Sequence, residues 1–285
     1  MRTALVFGAS GQIGEALLAC LEPSQWQVFA VSRTPRPPSA NVRWLQGEFA
    51  GIEGLPGSVD VVFSTGPLDG FAQWYARGPV ATRRVVAFGS TSLDTKQTSG
   101  SAYERDIVAR LQAAERLVFD TASASGASAT LLRPTLVYGA GRDQTLARIA
   151  AMARRMGFFV LPRGADGKRQ PVHVDDLAAA ALAVVDAPAT QGRAYALPGG
   201  ETVAYRDMVA RTLAALDPPA GLWQVPMPVF RAALSLARMA GMMRGLTDDA
   251  VARMREDLVF DASPARNDFG YAPRAFIVDA RAAGS

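Results

Sequence analysis

The sequence predicts an α/β protein built on a doubly wound parallel sheet, with a smaller lobe formed by its C-terminal part. The apolar run at residues 4–7 leads into a glycine-rich turn at residues 8–14 and then into an amphipathic stretch, which predicts a strand, a tight turn and a helix. Short β-branched runs then alternate with helical patterns through two thirds of the chain, as in a parallel sheet covered on both faces. The chain has 285 residues, 49% of them apolar, and can bury such a core.

The individual elements follow from these patterns in chain order. Apolar and β-branched runs predict strands near residues 3–7, 27–31, 42–45, 59–63, 84–88 and 129–133. Helical spacing predicts helices at residues 12–21, 71–77, 104–120 and 143–156. Glycine and proline interrupt the chain more often after residue 156. We therefore expect residues 1–156 to form the sheet domain, with residues 169–186 returning to it, and residues 187–285 to form the smaller, substrate lobe.

Composition argues against several classes of function. The 30 basic and 26 acidic residues give a net charge of +4, and the basic residues are scattered, so no nucleic-acid-binding surface is indicated. A single histidine, His173, and a single cysteine, Cys20, are too few for a zinc site of the usual kind, and we expect no metal. The apolar runs are too short for a membrane span or a signal peptide, so we expect a cytoplasmic protein.

The glycine-rich turn predicts a site for the pyrophosphate of a dinucleotide, as in the Rossmann fold. Gly8 permits the tight turn, Gly11 lets the backbone approach the phosphates, and Gly14 lets the first helix pack closely on the sheet. The N-terminus of that helix offers N–H groups and the positive end of its dipole to the phosphates. The other contacts predicted from this turn are Ser10, Gln12 and Ile13.

The residues after the second predicted strand indicate which dinucleotide is bound. An acidic residue here would accept hydrogen bonds from the adenosine ribose of NAD, but the chain has Ser32, Arg33 and, three residues later, Arg36. Arg33 can pair with a 2′-phosphate, with Ser32 as a hydroxyl donor and Arg36 as a second cation. An Arg33 side chain turned into solvent is the alternative interpretation. The missing carboxylate and the added cation both favour NADP over NAD.

Further motifs stand at the ends of the later predicted strands. They are Gly47-Glu48-Phe49, Ser64-Thr65-Gly66, Phe88-Gly89-Ser90-Thr91-Ser92 and Leu132-Arg133-Pro134-Thr135-Leu136-Val137-Tyr138-Gly139. With the glycine spacing, they resemble the extended short-chain dehydrogenase/reductases, also called the NAD-dependent epimerase/dehydratase family, over most of the chain. The resemblance implies cofactor contacts from Glu48, Phe49, Ser64, Thr65, Gly66, Ser90, Pro134, Leu136 and Val137.

The resemblance also implies an active site that this chain carries only in part. The family uses a Ser or Thr after the fifth strand, a Tyr, and a Lys four residues later that lowers the pKa of the phenol. Thr91 matches the first position. None of the six tyrosines has a Lys four residues on, so the chain has no Tyr-x-x-x-Lys. Alignment on Ala114 and Glu115 instead places Ile107 and Leu111 where the Tyr and the Lys would stand.

Tyr103 and Glu104 are the candidate substitutes for the missing pair. Tyr103 would act as the acid, with positive charge from Arg105 or Arg110, and Glu104 would act as a base. An arginine approaches a phenol in a different geometry from a lysine, which weighs against the Tyr103 hypothesis.

Other groups are weaker candidates. Tyr138 and Arg142 have the same spacing but lie in a loop that the family uses structurally. His173 stands in a strand-like run before Asp175 and Asp176, which resemble a helix cap, so we interpret it as structural and not as an acid or base. Arg142 and Arg169 are equally compatible with an anionic substrate and with a solvated surface.

Two functions from different classes remain open. The first is an NADP(H)-binding oxidoreductase or epimerase-like protein that acts on a small or sugar-nucleotide substrate through a non-standard active site. The second is a catalytically silent NADP(H)-binding sensor or assembly protein. Loss of the Tyr and Lys pair favours the second function, whereas Thr91 and the segment containing Pro134 favour the first. The substrate and a homo-oligomeric state stay undetermined.

Overall fold

The computed structural model describes residues 1–37, 39, 41–95, 102–143, 145–239 and 248–278, with the backbone alone at 237, 238 and 248–250. The strands, in chain order, are β1 (Arg2–Phe7), β2 (Trp26–Ser32), β3 (Val42–Glu48), β4 (Gly51–Ile52), β5 (Ser58–Ser64), β6 (Ala81–Phe88), β7 (Ser128–Pro134), β8 (Val137–Tyr138), β9 (Phe158–Pro162), β10 (Lys168–Arg169), β11 (Val172–His173), β12 (Arg193–Leu197), β13 (Val203–Ala204) and β14 (Gly221–Val225).

The helices, in chain order, are α1 (Gln12–Cys20), α2 (Leu68–Ala76), α3 (Ser92–Thr95), α4 (Ala102–Ala124), α5 (Leu146–Met156), α6 (Val174–Ala183), α7 (Tyr205–Ala214), α8 (Met227–Met239), α9 (Asp248–Arg253) and α10 (Ser263–Phe269). Two short 3₁₀ turns cover Val184–Asp186 and Pro188–Thr190. No helix in the described part of the chain is long and apolar enough to cross a membrane.

The chain divides into two compact units, and the first contains the large sheet. Unit 1 comprises Met1–Thr135, Val174–Leu197 and Asp261–Ala272. Its strands lie in the order β12-β7-β6-β5-β1-β2-β3-β4, and all neighbours are parallel except β4, which runs antiparallel to β3. The strand order reverses at β1, so the predicted doubly wound parallel sheet is confirmed.

Helices cover both faces of this sheet. On one face α2 packs against α4, where Phe71 and Val118 join Leu5 and Val62 in a single apolar core. Alternate strand residues such as Val6 point to the opposite face, where α1 packs against α6. The six predicted strands and the helices predicted at residues 12–21, 71–77 and 104–120 all correspond to elements of this unit.

Unit 2 comprises Leu136–His173, Pro198–Phe260 and the chain from Pro273 onward. Its principal strand pair is β9 with β14, which run parallel. One face of the pair packs on α5 and α7, where Phe159 and Leu161 contact a core that includes Ala153 and Leu213. The other face carries Phe230 and Leu234 of α8. A separate cluster surrounds Tyr138 and Phe276, whose rings meet edge to face at 5.0 Å.

The boundaries between the two units differ from those expected at residues 156 and 187. Residues 136–156 fall in unit 2, whereas β12 and α10 belong to unit 1. Tyr195 of β12 donates a hydrogen bond to Asp268 of α10 at 2.5 Å, and Arg193 pairs with the same carboxylate at 2.5 Å. A strand at the edge of a sheet is recruited by long-range pairing, which local periodicity does not report.

Candidate functional site

The glycine-rich turn at the end of β1 is closed by contacts that only glycines allow. Gly8 has φ +68°, and a Cβ there would lie 2.7 Å from the backbone nitrogen of Gly66. A Cβ on Gly14 would lie 2.2 Å from the Gly8 carbonyl oxygen. Gly11 caps α1, and its N–H donates to the Gly8 carbonyl at 2.8 Å. The spacing of the three glycines therefore fixes the turn directly against the first turn of α1.

A cavity of about 630 Å³ opens above this turn, at the carboxyl ends of β1, β2, β3 and β5. This volume is typical of small-molecule sites, and the position is the crevice where open α/β sheets bind their ligands. A side chain at Gly11 would meet only the Gly8 carbonyl, at 3.1 Å, and would otherwise project into open space. The cavity is lined by Phe7, Gly8, Ser10, Gly11, Val31, Ser32, Arg33, Gly47, Glu48, Phe49, Ala50, Thr65, Gly66 and Pro67.

The polar wall of the cavity carries one cation and one carboxylate among its lining residues. Arg33 is exposed at the end of β2, and Glu48 is exposed at the end of β3. Ser32 is only 4% exposed, and its Oγ accepts the Thr34 N–H at 3.3 Å. The Thr65 hydroxyl lies 3.0 Å from the Gly8 carbonyl and fixes the glycine turn from the side of β5.

Aromatic rings form the apolar wall. Phe49 stacks on Phe7 with ring centroids 5.2 Å apart, and Phe7 packs on Trp74 of α2 at 4.4 Å. A Cβ on Gly70 would lie 2.7 Å from the Phe49 ring, so the ring is held tightly against α2. Phe49 thus offers the cavity a flat apolar surface that the core supports.

Several residues predicted to contact the cofactor lie outside this cavity. The Arg36 guanidinium lies 5.5 Å from the Trp44 ring centroid and 3.5 Å from Glu15. Gln12 and Ser64 flank the turn, and their Oε1 and Oγ atoms are buried with no hydrogen-bond partner among the described residues. Ile13 is buried in α1. Gln12, Ile13 and Ser64 are therefore not among the residues that line the cavity.

The segment after β6 places Thr91 and Ser90 at the end of the sheet. Thr91 is 7% exposed, and both its N–H and its hydroxyl donate to the Pro134 carbonyl, at 3.3 and 3.1 Å. The Ser90 Oγ donates to the Ser92 Oγ at 3.0 Å. With its proton directed to Pro134, the Thr91 oxygen keeps its lone pairs available to accept a hydrogen bond.

Tyr103 and Glu104, the candidate substitutes for the missing Tyr and Lys, differ in exposure at the start of α4. The Tyr103 side chain is 71% exposed, whereas Glu104 is 7% exposed. Ile107 and Leu111 are half-buried and lie one and two turns after Glu104 on the same side of the helix. Of the two candidates, Glu104 alone is directed towards the interior. Lys96, one of only two lysines in the chain, lies outside the described residues.

A partly buried ion pair near the loop of Thr91 was not predicted from the sequence to belong to the site. Glu115 of α4 binds Arg133 of β7 through two hydrogen bonds, the Nε–Oε1 bond measuring 2.8 Å. The hydrogen bond to Glu115 raises the pKa of Arg133. A Cβ on Gly89 would lie 3.0 Å from the Glu115 Oε1, so the pair packs against the loop that leads to Thr91. Because Arg133 precedes Pro134, the pair also anchors the carbonyl that binds Thr91.

Leu136 and Val137 lie in unit 2, where β8 pairs in parallel with β11. The His173 ring meets the Tyr138 ring edge to face at 5.1 Å, and a Cβ on Gly139 would lie 2.3 Å from the His173 Nε2. This packing agrees with the structural role predicted for His173.

Arg169 is buried and donates to the backbone carbonyls of Arg253, Glu256 and Lys168. Desolvation lowers the pKa of Arg169. Its guanidinium also lies 5.4 Å from the ring centroid of Tyr205. With these hydrogen bonds Arg169 fixes the backbone that follows α9. In the described residues, no group of three or more His, Cys, Asp or Glu side chains is arranged to hold a metal ion.

Comparison with known proteins gives one family and two kinds of relative. Residues 98–197 match the NAD-dependent epimerase/dehydratase family. A 2-alkyl-3-oxoalkanoate reductase from Stenotrophomonas maltophilia (strain K279a) is 26% identical over 316 aligned positions, which cover 96% of this chain and 95% of the reductase. A UDP-glucose 4-epimerase from Vibrio cholerae is 27% identical over 180 positions, which cover 62% of this chain and 52% of the epimerase.

Among solved structures, the UDP-glucuronic acid 4-epimerase from Bacillus cereus in complex with NAD superposes with a TM-score of 0.70. The match covers 99% of this chain and 94% of the epimerase, at 13% sequence identity. The shared architecture confirms the α/β fold with a large, mostly parallel central sheet.

Proposed function

We propose that the chain is an NADP(H)-binding oxidoreductase or epimerase-like protein of the NAD-dependent epimerase/dehydratase family, whose model matches residues 98–197, and that its active site works without Tyr-x-x-x-Lys. The family depends on nicotinamide dinucleotides, and the NADP preference is the specific part of the proposal. The observation that carries it is the cavity of unit 1, which Arg33 and the glycine-rich turn both line.

The residues that line the cavity fit a dinucleotide. Gly8 and Gly11 leave room for a pyrophosphate at the N-terminus of α1, where backbone N–H groups and the helix dipole favour an anion. Arg33 and Ser32 would hold the 2′-phosphate, and Glu48 with the flat face of Phe49 would hold the adenosine. When bound, the nicotinamide ring supplies or accepts a hydride.

The protein's own residues would then position the substrate and move a proton. The Thr91 oxygen, held by the Pro134 carbonyl, would accept a hydrogen bond from a substrate hydroxyl or orient a substrate through bound water. Glu104 is the preferred proton carrier of the predicted candidates because it is buried on the inner side of α4, whereas Tyr103 is directed to solvent. The pair of Glu115 and Arg133 would keep the loop of Thr91 in place.

The relatives suggest two substrate classes. The reductase that aligns over nearly the whole chain acts, by its name, on 2-alkyl-3-oxoalkanoates, and the epimerase that aligns over part of the chain acts on UDP-glucose. A small carbonyl compound, such as a 3-oxo acid, is therefore the first substrate to test, and a sugar nucleotide the second.

A catalytically silent NADP(H)-binding protein is the second candidate function. It is favoured by Ile107 and Leu111, whose aliphatic side chains transfer no proton, and by the 71% exposure of Tyr103. In this case the cavity would bind the dinucleotide for sensing or assembly.

Turnover separates the two functions. We would follow NADPH oxidation with 3-oxo acids, and hydride exchange with UDP-sugars, for the wild type and for Glu104→Gln and Tyr103→Phe. Loss of a proton-transfer group typically lowers the rate by about 100-fold or more, so we expect this loss for Glu104→Gln and little change for Tyr103→Phe. NADPH binding without turnover on any substrate would support the silent protein, and equal rates for Glu104→Gln and wild type would remove Glu104 from the mechanism.

A further inference from the structure

The end of β7 and the helix α3 place an arginine and a carboxylate close together without a hydrogen bond between them. The Arg133 Nη1 lies 3.9 Å from the Asp94 Oδ1, which is beyond hydrogen-bond distance, and the two side chains are 25% and 47% exposed. The rest of the guanidinium is occupied, because its Nε and Nη2 donate to the Glu115 carboxylate. Among the described residues, Nη1 is therefore left with a hydrogen to donate, facing a carboxylate that it does not reach. We term this space the Asp94–Arg133 gap.

Both sides of the gap are connected to Thr91 by backbone hydrogen bonds. The Asp94 N–H donates to the Thr91 carbonyl at 3.0 Å, which holds Asp94 one turn after Thr91. On the other side, Arg133 directly precedes Pro134, whose carbonyl accepts hydrogen bonds from the Thr91 N–H and hydroxyl. The Asp94–Arg133 gap is thus held next to the hydroxyl that would bind the substrate in the proposed function.

A hydroxyl group fits between the two side chains. An oxygen about 2.8 Å from each atom would bridge the 3.9 Å distance at an angle of about 90°, accepting a hydrogen bond from the Arg133 Nη1 and donating one to the Asp94 Oδ1. Polar groups this far apart are commonly bridged by water, and a substrate hydroxyl would take the place of that water. A methyl group in the same position would leave both the donor and the charged acceptor without a partner.

The charges around the gap disfavour a second carboxylate. Glu115 and Asp94 together contribute two negative charges against the single positive charge of Arg133, and the hydrogen bond from Glu115 raises the pKa of Arg133. A substrate carboxylate that reached the Arg133 Nη1 would also approach Asp94, because the two side chains are only 3.9 Å apart. A neutral hydroxyl meets no such repulsion.

We propose that Asp94 and Arg133 determine substrate specificity by binding a hydroxyl substituent of the carbonyl substrate in the gap between them. The inference rests on the proposed function, because it takes the substrate to lie at Thr91. Glu115 acts through Arg133, whose guanidinium it orients so that Nη1 is directed to the gap. A hydroxylated carbonyl compound is therefore preferred over a 3-oxo acid, whose carboxylate would meet Asp94.

Binding of three small ketones tests the proposal on the full-length protein with excess NADP⁺. The probe 4-hydroxy-2-butanone carries the hydroxyl, 2-pentanone has a methyl group in its place, and acetoacetate carries a carboxylate. Saturation-transfer NMR should show that the wild type binds the hydroxyketone at least about tenfold more tightly than either of the other probes. The methyl group leaves the donor and the carboxylate of the gap unpaired, and the carboxylate of acetoacetate meets Asp94. The measurement needs no turnover, so a catalytically silent protein also gives an answer.

The variant Asp94→Ala should change the affinities for two of the probes in opposite directions. It removes the acceptor, so the affinity for 4-hydroxy-2-butanone should fall at least about tenfold. It also removes the repelling charge next to Arg133, so the affinity for acetoacetate should rise. The control is Asp120→Ala, which removes an exposed carboxylate near the other end of α4 and should change neither affinity.

Urea unfolding and NADPH titration first establish that each variant is folded. If Asp94→Ala is misfolded, Asp94→Asn replaces it: its amide oxygen still accepts from the hydroxyl but carries no charge, so the gain for acetoacetate is the expected change. Equal affinities for the three ketones in the wild type, no binding of any of them, or a parallel change for both probes in the folded variant would each overturn the proposal. NADPH oxidation with the same ketones is followed separately. The predicted order of affinities without turnover would refute the enzymatic function and support the Asp94–Arg133 gap as a binding site.

Discussion

The geometry of the glycine-rich turn allows a quantitative prediction of how Gly14→Ala changes stability and NADPH binding. The added Cβ would lie 2.2 Å from the Gly8 carbonyl oxygen, and real Cβ contacts essentially never fall below 3.0 Å, so the two groups must separate by about 0.8 Å, the difference between these distances. Ala9 also stands in the way, its Cα at 2.7 Å. All the obstructing atoms are backbone, which cannot swing aside as a flexible side chain can.

We expect the shift caused by Gly14→Ala to weaken NADPH binding more than it lowers the stability of the fold. Overpacking of this kind costs about 1–3 kcal/mol, but alanine gains about 1 kcal/mol over glycine inside a helix, so the net loss in unfolding free energy is about 0–2 kcal/mol. The Gly8 carbonyl also accepts hydrogen bonds from the Gly11 N–H and the Thr65 hydroxyl, at 2.8 and 3.0 Å. Moving it disturbs the turn that faces the phosphates, and we expect NADPH affinity to fall at least about tenfold, or about 1.4 kcal/mol.

The assay is nicotinamide fluorescence on titration with NADPH, with urea unfolding as the measure of stability. Gly57→Ala is the control, because Gly57 lies in the same unit with nothing within 4 Å of its added Cβ. We expect it to bind NADPH as the wild type does. If Gly14→Ala also retains wild-type affinity, the claim that this turn holds the pyrophosphate is refuted.

Two further predictions concern the stability of unit 1. Arg84 is 6% exposed and donates hydrogen bonds to Ser128, Thr130, Thr190 and the Val184 carbonyl, so Arg84→Met should lower the unfolding free energy in urea by about 2–4 kcal/mol. The control Arg83→Met removes an exposed ion pair and should lower it by less than about 1 kcal/mol. Similar losses for the two variants would contradict the contribution of the buried hydrogen bonds. Burial and the hydrogen bond to Asp268 raise the pKa of Tyr195 to about 12, above the unfolded value near 10. This contribution is therefore present below about pH 10 and lost as the pH rises to about 12, so the stability advantage of the wild type over Tyr195→Phe should shrink between about pH 9 and 12. An advantage independent of pH would contradict the assignment.

Local patterns in the sequence were sufficient for most of the sheet. The run before Gly8, the turn and α1 were predictable because strand period, glycine and helix period are local signals. The same signals located the strand ends, and parallel strands bring those ends to one edge, so Ser32, Arg33, Glu48 and Thr65 were predicted to meet and do line one cavity.

Contacts between elements that are distant in the sequence could not be predicted from these local signals. Arg36 lies three residues after Arg33, but its side chain packs on Trp44, a partner from another strand, outside the cavity. The pair of Glu115 and Arg133 was equally hidden, although both residues stood in motifs compared with the family, because only the packing of α4 on β7 brings them together. Side-chain direction after a strand and pairing between distant elements depend on the folded context, which one sequence does not report.

We propose that Arg33 makes the cavity of unit 1 a site for NADP. We would measure the Kd of NADPH and NADH for the wild type, Arg33→Ala and Arg36→Ala by nicotinamide fluorescence. A charge-assisted pair contributes about 1.5–3 kcal/mol, so Arg33→Ala should weaken NADPH binding by about 10- to 100-fold and leave NADH binding unchanged, while Arg36→Ala changes neither. Wild-type protein that binds NADH as tightly as NADPH, or an equal loss for both in Arg33→Ala, would contradict the claim.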